Sequence, residues 1–416
     1  MSEAMHDEII RDCARGEEML AWAKELYPIC RSITGEGLRQ TIRFVQDRHP
    51  ETQMHAFRTG EQVFDWQIPR EWNIRDAWIE HESGVRFAEF SKSNLHVVNY
   101  SAPIDRVVTR EELLKIVHTQ PDLPDAIPYV TTYYREYGGF CMSEADKNAL
   151  PDGKDHAFIH STPPDGELNI AELYFPGETT EEVLFSTYIC HPSLANNELS
   201  GPVLAMALAD YVRELPDRKY SYRFLFVPET IGAISWLSRN LADAKARTVA
   251  GFVLSCVGDE RAYSHVASRR GDTLADRAIV AALHGKENVR MYSFLERGSD
   301  ERQFCAPGID LPVCGFCRSK YAEYPEYHTS ADNFDVVTAA GLQGSFDVMR
   351  TIVDAFEVGL YPRTSVLCEP QLGKRGLYPT ISQRGRINAL RQRLDVLAYS
   401  DGETDLFALA QSIGAP

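Results

Sequence analysis

The sequence predicts an α/β fold: a mostly parallel mixed sheet flanked by helices, with a small inserted β domain and a C-terminal winged helix-turn-helix domain. Three observations lead there. From about residue 126, short apolar strands alternate with amphipathic helices, the pattern of a mostly parallel sheet covered by helices. Between about 60 and 104, short alternating stretches rich in aromatic and β-branched residues are bounded by Pro, Gly and Asn, as in a small antiparallel unit. After 361, a Pro/Gly-punctuated link leads into two amphipathic segments around SDGETD, the size of a helix-turn-helix.

The elements follow in order. Residues 8–48 read as helical through Ile9, Leu20, Trp22, Leu26 and Phe44, with RSITGEG as a turn at 31–37. The insert is read from VFDWQIP, AWIEH, VRFAEF and NLHVVNYS, and residues 105–125 as a helix and a Pro-rich link. Strands are expected at 156–162, 168–175, 182–189, 222–228, 251–258 and 311–316, and helices at 201–215, 233–241, 273–285 and 339–360. The domains then divide as 1–58 with 105–362 for the α/β unit, 59–104 for the insert and 363–416 for the winged helix.

The 416 residues are 44% apolar and 25% charged, ordinary globular composition with enough material for two or three domains. A net charge of −17 repels nucleic acid and anionic membranes. No stretch reaches the ~18–20 apolar residues that span a bilayer. The acidic N-terminus does not read as a secretory signal, so a cytoplasmic address is expected. The nine scattered cysteines do not form a disulfide framework, and Cys314 with Cys317 lacks the second pair of a zinc ribbon.

The chemistry sits where predicted strands end, the usual ligand position in open α/β sheets. His191 closes one strand and is followed by Asn196, Asn197 and Glu198. Glu229 follows another, placed either as a general base or as a helix N-terminal acid. Ser255, Cys256 and Asp259 end a third, Asp300, Glu301 and Arg302 stand together in a loop, and His328 lies between Glu326 and Asp332. Two histidines with several carboxylates are a donor set suited to zinc. No G-x-S-x-G elbow, Walker loop or GxGxxG is present.

In this order, CHPSLANNELSG, PETIG, GSDERQF and PEYHTSADN resemble the zinc aminopeptidase superfamily. More narrowly, YPICRSITGEG (27–37), FDWQIPREWNI (64–74), SNLHVVNYSAP (93–103), EYHTSADN (326–333) and LAYSDGETDLFALA (397–410) make the chain similar to a bacterial aminopeptidase-like family. Members of that family carry an inserted β domain and a C-terminal winged helix. The resemblance implies His191 and His328 as metal ligands and Glu229 as general base. Asn197 stands where a bridging aspartate is expected, Thr230 replaces a second glutamate, and Ser255 lies near the place of a further aspartate. With those carboxylates missing, one zinc is expected rather than two, completed by Asp259, Glu229 or one of Asp300 and Glu301.

The function so implied is a metal-dependent hydrolase cleaving an amide bond of a peptide or small amino-acid derivative. Asn197 would orient substrate or water, and Tyr327 would hydrogen-bond the oxyanion. Arg297 or Arg302 would bind a substrate carboxylate, and Glu301 and Glu326, with Asp300 beside them, would receive an α-amino group. An amide-forming or cyclising enzyme is the variant reading, since single-zinc relatives on this fold include glutaminyl cyclases. A ligand-sensing or interaction protein with a degraded metal site is the other. Families of this kind occur near polysaccharide and natural-product genes. Nucleic acid is disfavoured as a partner, because ETDLFALAQSIG carries Glu403 and Asp405 and no Lys or Arg. The tryptophan-rich insert leaves a homo-oligomer open.

Overall fold

The structure is a computed structural model that describes residues 14–377 and 387–415. Its main sheet is built from β1 (Gln53–Arg58), β2 (Glu167–Phe175), β3 (Glu182–Tyr188), β4 (Ser221–Val227), β5 (Thr248–Leu254), β6 (Tyr263–Val266), β7 (Val289–Tyr292) and β8 (Val313–Cys317). The spatial order is β1-β2-β4-β3-β5-β8-β6-β7. The central pairs β4/β3, β3/β5 and β5/β8 are parallel, while β1/β2, β2/β4 and β6/β8 are antiparallel.

The sequence explains the centre. EVLFSTY and SYRFLFV are buried at every position, as a strand covered on both faces must be. Phe185, Phe224 and Phe252 stack across β3, β4 and β5 at centroid separations of 5.1 and 5.5 Å. They face α1 (Ala14–Leu26), α3 (Ser200–Glu214) and α6 (Ala339–Gly359) in the larger core. Leu184, Leu225 and Val253 point the other way, to Trp236 and Leu237 of α4 (Ile231–Arg247). Gly201 lets α3 start hard against the sheet: a Cβ there would lie 2.5 Å from the Leu254 carbonyl oxygen.

The insert is larger than its expected boundary at 104. Its sheet orders strands Arg86–Phe87, Asn73–His81, Lys154–Thr162 and Ile104–Thr109. The segment 154–162, expected beside the central strands, pairs instead with both 73–81 and 104–109. Its burial alternates along KDHAFIHST, so it has one core face, filled by Ala157 and Ile159 against Ala77, Ile79 and Val108. The helix expected within 105–125 is present but short, Arg110–Leu114 capped by Thr109, and a strand, Ile104–Thr109, precedes it. The hairpin of Gln62–Val63 and Trp66–Gln67 belongs to the main domain, where Val63 and Ile68 join the α4 side of the core.

The two remaining N-terminal and C-terminal pieces close the core. The helix α2 (Glu36–Arg48) buries Leu38, Ile42 and Val45. The tail contributes α7 (Ile387–Tyr399) and α8 (Leu406–Ile413). The apolar side of α8 is spent inside the molecule: Phe407 packs 5.6 Å from Phe356 of α6, and Arg277 of α5 (Leu274–Ala282) pairs with Asp405 at 2.9 Å. Among the described residues, no helix is long and apolar enough to cross a membrane.

Candidate active site

The centre of the candidate site is made where the carboxyl ends of β3 and β4 meet the loop carrying His328. After β3 the chain forms a π-helical turn, Ala195–Leu199, before α3. Such turns mark functional sites more often than ordinary helix does. Asp332 holds this one by accepting the Asn196 and Asn197 backbone N–H groups at 2.6 and 2.9 Å, with the Tyr324 hydroxyl at 2.8 Å. Burial pushes Asp332 up to about 6, against those donors.

The turn swings Glu198 back onto His191. The imidazole Nδ1 lies 2.6 Å from Glu198 Oε2. A carboxylate only accepts, so Nδ1 carries a proton, and Nε2 faces Glu229, 3.8 Å from its Oε2. Behind Glu198 stands Arg31, from the RSITGEG turn, fully buried, with Nε 3.7 Å from Glu198 Oε1 and 2.9 Å from the His191 carbonyl. Burial works against a charged His191, yet Cys190 and Glu198 outweigh it and raise its pKa well above 6.5, so a metal taken by Nε2 would displace a proton there. Burial pushes the Cys190 thiol up to about 11, with His191 opposing. The ligand atoms of Cys190, His191 and Glu198 lie close enough to hold a metal ion.

His328 completes the pair. Its ring lies 5.5 Å from that of His191, with Tyr129 edge-on to both at 5.0 and 5.1 Å. Tyr327 stacks on His328 at 3.9 Å. Burial, with nearby His191, pushes His328 down to about 3, so it is a neutral imidazole with a lone pair to offer.

Glu229 is presented by a strained turn. Thr230 sits at φ 67°, ψ −74°, and the Ile231 N–H bonds the Glu229 carbonyl at 2.8 Å. This is the rare form of the γ-turn, costly for a β-branched residue. Asp300 holds it by accepting the Thr230 N–H at 2.7 Å, and the Arg302 guanidinium donates to the Thr230 hydroxyl. Burial raises the Glu229 pKa, with His191 and Arg302 opposing. Burial, then the Glu229 charge, puts Asp300 well above its ordinary value.

Other residues singled out by sequence lie elsewhere. Asp259 does not join the histidines: its oxygens accept from Asn196 Nδ2, the Ser319 N–H and hydroxyl, and the Arg261 N–H at 2.8–3.0 Å. Those donors make it the brace of the loop after β5, and the metal role expected of it is corrected. Glu326 is engaged by Arg261 through two 2.8 Å bonds, which removes it as an amine receiver. Glu301 is fully buried, with Oε1 accepting from Tyr321 and the Gly298 and Ser299 N–H groups. Arg297 donates to the Phe294 carbonyl on the exposed side of its own turn. Arg302 does line the cavity, about 320 Å³, with Cys190, His191, Glu229, Trp66 and Tyr133.

Sequence reasoning missed Glu198 as the partner of His191, Asp332 as the clamp of the turn, and Tyr129 between the histidines. Only the position of Glu198 on the polar turn hinted at any of them.

The buried atoms without a hydrogen-bond partner cluster here: Asn197 Oδ1, Glu198 Oε1, Asp300 Oδ2, Glu301 Oε2 and His328 Nε2 are among them. An unmet buried polar group costs about 1–3 kcal/mol, so such a cluster calls for a ligand. A divalent cation fits this donor set: two imidazole nitrogens, one already backed by a carboxylate as metal-binding histidines are, and an unpartnered amide oxygen.

Residues 20–359 match the model of a family described as a domain of unknown function, DUF4910, and residues 359–416 match a winged helix-turn-helix family. A Clostridium acetobutylicum protein provisionally named for polysaccharide biosynthesis, with an aminopeptidase-like domain, is 40% identical over 402 residues, covering 96% of this chain and 92% of its own. A crystal structure of a provisionally named peptidase from the same organism has a TM-score of 0.90 at 38% identity, covering 99% of this chain and 94% of that one. A zinc aminopeptidase from Bacillus subtilis, BSAP, shares the fold at a TM-score of 0.60 and 12% identity, covering 81% and 94%.

Proposed function

The chain belongs to the DUF4910 family, and from that premise we propose that it is a metal-dependent amide hydrolase. Its substrate would be a peptide or small amino-acid derivative, and Glu229 its general base. The observation that carries this reading is the unpartnered buried His328 Nε2 beside His191, whose Nδ1 is engaged by Glu198 so that Nε2 is the nitrogen left to offer a metal. His191 and His328 would hold one zinc ion through Nε2, with Asn197 Oδ1 as an oxygen donor. When bound, zinc supplies Lewis acidity, polarising the amide carbonyl and making water a better nucleophile at neutral pH.

The residues of the chain divide the remaining work. Glu229, its proton affinity raised by burial, takes the proton from the attacking water and returns it to the leaving nitrogen. Burial keeps the Tyr327 phenol protonated far above neutral pH, so it can donate to the developing oxyanion. Asp300 and Arg302 keep the Glu229 turn in its strained shape, and Glu198 with Arg31 keeps the proton on His191 Nδ1. The name of the Clostridium relative favours a role in polysaccharide biosynthesis. The tail acts as a brace within the chain and does not read DNA.

The test is metal content by inductively coupled plasma mass spectrometry. About one zinc per chain is expected in the wild type, and none in His191→Ala or His328→Ala. Protein that takes up no zinc after addition of the ion ends the proposal.

A further inference from the structure

The cavity at Glu229 is flanked by two others. It shares Tyr133 and Tyr134 with a second cavity of about 380 Å³, walled also by Trp72 and Tyr100. On the other side it shares Trp66 and Gln303 with a third of about 320 Å³, walled by Phe64, Ile234 and Leu237. Phe64, Trp66 and Tyr134 expose large ring surfaces along this groove. A substrate that stopped at a free α-amine would fill one arm and leave the other empty.

The charge lining the central cavity makes the same point. Glu229 is its one carboxylate among the described residues, and Arg302 shares the wall. Of the other acids expected at the amine position, Glu326 is bound by Arg261, and Asp300 and Glu301 are fully buried and do not line the cavity. Asp65 and Glu136 stand in the outer arms, exposed. An α-ammonium beside the scissile bond would therefore meet a guanidinium and compete for the carboxylate that must accept a proton.

We infer that the substrate is an N-acylated amide extending to both sides of Glu229, its acyl group and its leaving group each lying on an aromatic arm. The inference rests on the hydrolytic reading above. An uncharged acylated nitrogen avoids the clash with Arg302, and the arms offer flat apolar faces for a bulky group at either end.

Isothermal titration calorimetry on zinc-loaded Glu229→Gln protein tests this with N-benzoyl-leucine anilide and leucine anilide. The acylated probe is expected to bind at least ~10-fold tighter. The surface double variant Trp66→Ala/Tyr134→Ala is expected to remove most of that advantage. Equal or reversed affinity, no binding of either probe, or an advantage untouched by the double variant would overturn the inference. Wild-type turnover of both probes, run in parallel, separates the two ideas. No cleavage with the preference intact sinks hydrolysis and leaves the binding inference standing. Cleavage of leucine anilide with no preference for the acylated probe does the reverse.

Discussion

Two buried clusters of this molecule hold the same three residue types. Cys190, His191 and Glu198 meet at the end of β3; His265, Asp276 and Cys314 meet between β6, α5 and β8. In the second cluster the carboxylate is fully used. Asp276 accepts from His265 Nε2 at 3.0 Å, from the Ser268 N–H and hydroxyl, and from the Thr273 N–H and hydroxyl that cap α5. In the first, Glu198 Oε1 lacks a hydrogen-bond partner, as do Asn197 Oδ1 beside it in sequence and His328 Nε2 across the site. The difference teaches that donor composition does not identify a metal site. Unspent hydrogen-bonding capacity is what separates the first cluster from the second, and a stable fold leaves little of it without a reason.

Four experiments would break or sharpen that contrast. The largest effect is expected from Glu229→Gln, which should lower kcat on a cleaved amide by ~10²–10⁴-fold while zinc stays bound; full activity would take Glu229 out of the mechanism. Next, Glu198→Gln should weaken zinc affinity by ~10–100-fold, measured against a chelator of known strength, with the melting temperature little changed. His265→Ala serves as the control for that measurement, and loss of zinc from it would erase the distinction between the clusters.

The second cluster should speak in stability instead. Hydrogen bonds from His265, Ser268 and Thr273 outweigh burial and pull Asp276 from 3.8 to about 2. A depressed carboxyl stabilises the fold above its unfolded pKa and loses that contribution as pH falls through the folded one. Asp276→Asn should therefore cost about 2 kcal/mol at pH 7 by urea unfolding, the gap to wild type narrowing from about pH 4 to pH 2. An equal gap at both ends would deny the carboxylate its role. Smallest of all is the expected response to duplex DNA. The full-length chain should give no salt-sensitive mobility shift, and a shift lost on truncation near residue 365 would refute the brace.

Much of this was legible in the sequence, for reasons that differ by element. The strands around 222–228 and 251–258 announced themselves because both faces are buried and nearly every residue is apolar. The strands YSHV and VRMY were passed over, being only four residues each, with VRMY half exposed as well. The insert boundary was misplaced because 154–162 pairs with segments about eighty and fifty residues upstream, which no local pattern encodes. At the site, His191 and Glu229 could be picked out just after strands, and His328 from the motif of its loop. Glu198 could not, since its use depends on a π-helical turn that a helical or extended reading would point elsewhere. Asp259 was attractive as an acid at the end of β5, but Ser319, sixty residues on, claims it.

The packing of Phe407 on Phe356 also sets a clock on the protein's birth. The main core includes Met19 near one end of the chain and Phe407 near the other. A ribosome adding about 5–20 residues per second reaches Phe407 some seconds after Phe356, so the nascent domain waits with that part of its core uncovered. The segment that looks like a reader of other molecules thus closes its own chain's core, which stays open until that segment has been made.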